Sequence, residues 1–128
     1  MSISYTIEDT SPAYIRLVCR GTYARDALIA VFEHAIDTAI RMRRGAVLID
    51  VRDVSGTPPD TFERYQLGAG GARIQRDKSP LVIAAMVGHE PMIDPKRLGE
   101  IVFRNRGGVG KVFTSMQDAM AWLEESHQ

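Results

Sequence analysis

One cysteine, Cys19, is all the thiol chemistry this 128-residue chain carries. It excludes an internal disulfide framework and fits a reducing compartment. A dominant charge sign is missing too. Asp and Glu number 16 against 16 Lys and Arg, so no global field draws nucleic acid or an anionic membrane. Long apolar runs are absent: the longest, Leu81 to Val87, falls far short of the roughly 20 residues a bilayer requires. Met1 to Tyr5 has neither a basic start nor an apolar core, so no signal peptide is expected and the chain reads as cytoplasmic. The histidines His34, His89 and His127 lie too far apart for helical ligand spacing, so neither a metal nor another cofactor is expected.

What is present is a globular composition, 45% hydrophobic and 25% charged, sized for one domain over residues 1–128. Ile3, Tyr5 and Ile7 alternate with polar neighbours, and Ile15, Leu17 and Cys19 do so again across a turn at Asp9 to Pro12. Two such strands predict a hairpin, one face inward and the other, with Tyr14, Arg16 and Arg20, toward solvent. Cys19 reads as a small buried hydrophobe.

Gly21-Thr22 ends the hairpin and opens a helix over about Tyr23 to Arg43, with Leu28, Val31, Phe32, Ala35, Ile36, Ala39 and Ile40 as its apolar stripe. Ala46 to Ile49 has no polar alternation and predicts a central parallel strand covered on both faces. A loop from Asp53 to Pro59 precedes a helix over about Asp60 to Arg76. That helix holds Gly68, Gly70 and Gly71, each costing about 0.8–1 kcal/mol relative to alanine. Such a cost implies close packing against another backbone, a helix meant to move, or a contact between two copies of the chain.

Leu81 to Val87 predicts another covered strand. Asp94 then stands as N-cap with Pro95 at the first position of a helix whose buried stripe is Leu98, Ile101 and Val102. Asn105 to Gly108 stops it. Val112-Phe113 forms a short strand, and Thr114-Ser115 caps a last helix with Met116, Ala119, Met120 and Leu123 inward and Trp122 at the core edge. The expected fold class is α/β: a mixed sheet, N-terminal hairpin plus parallel strands, flanked by four helices.

The segments Gly45 to Val51, Gly99 to Arg106, Val112 to Thr114 and Asp118 to Leu123, in this order of elements, resemble the SpoIIAA-like proteins of the bacterial STAS group. The resemblance implies a non-enzymatic regulatory domain whose partner is another protein. In anti-sigma-factor antagonists of that group a serine ahead of the second helix is phosphorylated. The matching stretch here is Asp53-Val54-Ser55-Gly56-Thr57, with Val54 in place of the first serine, so Ser55 and Thr57 are the candidate phosphosites. Related folds also carry lipid. A small apolar ligand held between helices and sheet, gated by Pro91 to Ile93, is the alternative reading.

Ligands of parallel sheets gather beyond the carboxyl ends of the strands. That rule selects Asp53, Ser55, Thr57, His89, Glu90 and Asp94 as the binding residues, forming one surface with the exposed side of the second helix. A serine, a histidine and carboxylates at one edge raise a small hydrolase as a weaker alternative, but no Gly-x-Ser-x-Gly elbow is present and no catalytic residue is assigned. Gly68 to Arg73 lies within a helix, and Gly107 to Lys111 lacks a following Ser or Thr, so neither string is a phosphate loop.

Overall fold

The computed structural model describes residues 3–125; Met1, Ser2 and His127 lie outside the described residues. The elements in order are β1 (Ile3–Glu8), β2 (Ile15–Thr22), α1 (Arg25–Met42), β3 (Ala46–Ser55), α2 (Thr61–Lys78), β4 (Ile83–Val87), α3 (Leu98–Asn105), β5 (Gly110–Phe113) and α4 (Met116–Glu125). The strands form one sheet in the order β1-β2-β3-β4-β5, with β1 antiparallel to β2 and every other pair parallel. This is the expected α/β mixed sheet with four helices, an arrangement consistent with a STAS-like fold.

Because the strand order climbs in one direction, right-handed crossovers carry successive helices to the same side. α1 packs on α2, and α2 on α3, over one face. α4 follows the last strand and covers β3, β4 and β5 from the other. Residues 46–51 of β3 are accordingly all buried. Val47, Ile49 and Val51 meet Ile15, Leu17 and Cys19 beneath α1, whereas Ala46 and Leu48 join Ala85, Val87, Phe113 and Leu123 beneath α4. Trp122 closes this second core, its ring 5.8 Å from that of Phe113.

Several expectations need correction. The outer face of the hairpin is not simply solvated: Ser4, Thr6, Glu8 and Arg20 are exposed, but Tyr14 and Val18 are buried, Tyr14 within the α4-side core. β3 runs to Ser55 rather than stopping at Ile49, so Asp53 and Ser55 are strand residues. The register explains why: Val18 pairs with Asp50 but Arg20 with Asp53, so β3 holds one extra residue. Such a bulge breaks the period of two, and Val51 and Val54, three apart, both enter the same core. Leu81 precedes β4 and is 83% exposed. α3 begins at Leu98, and Asp94 instead closes the turn before it, accepting from the backbone N–H of Lys96 (3.1 Å) and of Leu98 (3.0 Å). Of the expected stripe Val102 is buried but Ile101 is 48% exposed, and Phe103 instead meets Phe32.

Two buried polar groups lock this frame. Gln75 on α2 is 1% exposed; its amide nitrogen donates to the carbonyls of Val82 (2.8 Å) and Val109 (2.9 Å), and its oxygen accepts from the Val109 N–H (2.7 Å). One side chain thus ties α2 to the segments that lead into β4 and β5. Asp50, on the α4 side of β3, accepts two guanidinium bonds from Arg52 (both 2.9 Å) and one from the Arg52 backbone N–H (3.1 Å), with Arg16 3.5 Å away. Burial alone would raise the Asp50 pKa; the hydrogen bonds from Arg52 and the charges of Arg52 and Arg16 reverse this and hold it below the ordinary value.

Two expectations follow from these groups. Gln75→Ala strands three backbone groups and opens a void, and should lower stability by about 2–4 kcal/mol in urea denaturation. Asp50 binds its proton less readily folded than unfolded. Its contribution to stability is therefore complete above the unfolded value near 3.9 and disappears as pH falls through the lower folded value. Asp50→Asn should flatten the fall of the urea midpoint below about pH 4.

Candidate functional site

β3 and β4 are parallel neighbours, with Asp50 opposite Val87, so the segments that follow them leave the sheet at the same end. Ser55, His89 and Glu90 there border an open depression of about 320 Å³ together with Arg52, Pro58 and Met92. The three are exposed. The Ser55 hydroxyl donates to the Gly21 carbonyl (3.3 Å). Asp53 and Thr57 are exposed but border neither this depression nor the cavity described below. At the start of α2, Asp60 accepts from the Glu63 N–H (2.8 Å) while Glu63 reaches back to the Asp60 N–H (3.3 Å). Two carboxylates therefore already occupy the helix end that a phosphate on Ser55 or Thr57 would meet.

Asp94 belongs elsewhere, on the wall of a cavity of about 150 Å³ between the sheet and α1, α2 and α3. Its floor is Ile49, Val51, Val54, Ala84 and Met86; its roof is Leu28, Phe32, Leu67 and Phe103; Met92 and Ile93 close one end. The apolar lining follows directly from the sequence pattern: these are the inward positions of a strand covered on both faces and of the helices above it.

The roof has this shape because two backbones touch. A Cβ on Gly68 would lie 2.5 Å from the Gly99 carbonyl oxygen and 2.9 Å from Val102 Cβ. Only glycine lets α2 and α3 approach this closely. Gly71 faces Phe103 and Phe32, whose rings meet edge to face 6.1 Å apart, and Gly70 faces Ile29 of α1. Gly68, Gly70 and Gly71 thus each face a neighbouring helix of the same chain. At its other side α3 is fastened to the sheet edge. Arg97 donates to the Val112 carbonyl, and Glu100 accepts from the Val112 N–H (2.6 Å). Together they satisfy the exposed backbone of edge strand β5.

Charged groups along the wall are likewise engaged by backbone. Arg64 donates to the carbonyls of Pro91 (2.8 Å) and Met92 (3.1 Å), anchoring the closing loop to α2. Asp94 has an ionisation held below the usual carboxylate range, first by its bond from the Leu98 N–H. Tyr23 stands apart: its hydroxyl is buried and unpaired. Burial first, then the nearby Glu63 charge, push its ionisation up to about 12.

Sequence reasoning brought Met92, Ile93 and Asp94 to this region but missed Tyr23, Arg64, Arg97 and Phe103. The glycine string signalled a close helix contact without naming α3 as the neighbour. Tyr23 looked like an ordinary first residue of a helix. Among the described residues no helix is long and apolar enough to cross a membrane, and no three His, Cys, Asp or Glu side chains are placed to hold a metal ion. No protein-family model matches the chain, and no curated protein matches its sequence.

The glycines make separable predictions in urea denaturation. Gly68→Ala should destabilise by about 1–3 kcal/mol, because backbone must move to admit the methyl group. Gly70→Ala, whose Cβ would meet only Ile29 Cδ1 at an ordinary 3.6 Å, should stabilise by about 0.5–1 kcal/mol through helix propensity.

Proposed function

We propose that this chain is a non-enzymatic binding protein that takes up a small apolar ligand between its sheet and α1–α3. The observation that carries the reading is the cavity of about 150 Å³ walled by Val51, Met86, Leu67 and Phe103. Well-packed interiors leave few voids larger than a water molecule. A partly open apolar pocket of about 150 Å³ has room for a molecule about the size of benzene. The cavity runs beneath the helices from Gly110 at the start of β5 to Met92 and Ile93, which form part of its boundary. Likeness to the SpoIIAA-like group and the mixed five-stranded sheet support a bacterial cytoplasmic setting of this kind.

Contact with a regulatory protein is the second reading, supported by Phe62 and Tyr65 on α2, which are 67% and 42% exposed. Phosphorylation of Ser55 or Thr57 belongs with it. Hydrolysis is the weakest reading, since the Ser55 hydroxyl is directed at a backbone carbonyl rather than at His89.

Toluene followed by ¹H–¹⁵N NMR tests the cavity. Saturable shifts are expected at Val51, Met86 and Phe103. Ala84→Ile, which grows a side chain from the cavity floor, should abolish them while keeping stability within about 1 kcal/mol of wild type. Absence of saturable shifts, or unchanged affinity in the filled variant, would sink the reading.

A further inference from the structure

We propose that β1 is a dimerisation strand, pairing antiparallel with β1 of a second copy of this chain about a twofold axis at Tyr5. The surface is independent of the cavity and joins two sheets edge to edge.

The sheet ends in β1 on one side and β5 on the other, and the two edges differ. At β5, Arg97 and Glu100 occupy the carbonyl and N–H of Val112. At β1, every second residue turns its N–H and C=O away from β2, as in any antiparallel edge strand. Among the described residues nothing bonds to that outer backbone. The usual protections of an edge are missing there as well. Ile3 to Ile7 holds no charge and no proline, and its register with β2 runs without a bulge.

The residues of the strand name the partner. Ile3-Ser4-Tyr5-Thr6-Ile7 reads alike in both directions: isoleucine, hydroxyl, tyrosine, hydroxyl, isoleucine. A twofold axis at Tyr5 sets Tyr5 against the partner's Tyr5, Ser4 against the partner's Thr6 and Ile3 against the partner's Ile7. Aromatic pairs and Ser–Thr hydroxyl pairs are among the cross-strand combinations that stabilise a sheet. Ile3 and Tyr5 already pack into the core beneath α1, and pairing extends that core over Ile7, which is 42% exposed. Glu8 falls outside the paired positions Ile3 to Ile7, so no like charges meet. A formal net charge of zero adds no long-range repulsion between copies.

The contact closes by its own symmetry. Pairing uses up the bare edge of each copy and leaves only the two β5 edges, which α3 blocks. Assembly therefore stops at two copies rather than continuing into a filament.

Sedimentation velocity of the full chain from about 5 to 500 μM tests the association. A reversible monomer–dimer equilibrium is expected; monomer throughout, or species larger than a dimer, overturns the proposal. Two double variants at the exposed Ser4 and Thr6 identify the surface. Ser4→Glu/Thr6→Glu sets like charges opposite each other twice and should weaken dimerisation about ten-fold, and Ser4→Lys/Thr6→Lys should do the same. Mixed in equal amounts, the two variants should associate about ten-fold more tightly than either alone, because each carboxylate then faces an ammonium. Unchanged dimerisation of either variant, or a mixture no tighter than its components, overturns the pairing of β1.

Discussion

Everything in this molecule answers to one requirement, that residues 46–51 of β3 be covered on both faces. A strand with six consecutive buried positions cannot sit at an edge or face water. It needs parallel neighbours on each side and helices above and below. β2 and β4 supply the neighbours. Cover on one side comes from the crossover helices, which all fall on one face because the strand order never reverses. Among the described residues the opposite face has only α4, which shields β3, β4 and β5 and leaves Ser4, Thr6 and Arg20 exposed to solvent. A buried Asp50 at the end of this region needs a substitute for water, and Arg52 and Arg16 provide it.

Placing three helices over one face creates the cavity. α1 lies against β3 with a broad apolar stripe: Ala35, Ile36 and Ala39 are wholly buried, whereas Ile40, expected in that stripe, is 45% exposed. α2 has no such one-sided stripe. Its buried positions are Gly68, Gly71, Ala72 and Gln75, small or polar residues that fit it to neighbouring helices and to backbone carbonyls. Leu67 and Ile74 are the larger α2 side chains that pack toward the sheet-side core, and the small residues between them leave room beneath the helix. The strand order also removes the usual alternative. With no reversal there is no crevice at a switch point, and the space for a ligand lies under the helices.

The sequence made the strands, the helices and their order legible, because burial on both faces erases alternation in β3 and the 3.6-residue stripe is strong in α1. It hid what depended on tertiary partners. The bulge near Val51 and Arg52 is invisible in a stretch that reads as a covered strand followed by loop residues, so Asp53 and Ser55 were assigned to a loop. Asp94 had the residue type and following proline of a helix cap, and it does accept backbone N–H groups, but from the turn that precedes α3. Of the candidate binding residues, Ser55, His89 and Glu90 share one depression, Asp94 lines the cavity, and Asp53 and Thr57 join neither. Gln75 is a polar residue on a helix, a pattern shared with any solvated position.

The cavity wall and the sheet edge are held by the same residues. β5 has four residues and, among the described residues, no strand beyond it, so its backbone would be open to pairing with another chain. Arg97 and Glu100 occupy the carbonyl and N–H of Val112, replacing a neighbouring strand with side chains from α3. Arg97 can do so from the residue just before the helix because it adopts φ 58°, a left-handed conformation that a β-branched residue would resist. Gly68 fixes the far side of α3 against α2. The helix is thus pinned on two sides, and neither pin passes through the apolar space between them. α3 cannot leave the cavity without exposing a strand edge, nor can that edge be covered without setting the cavity's wall in place.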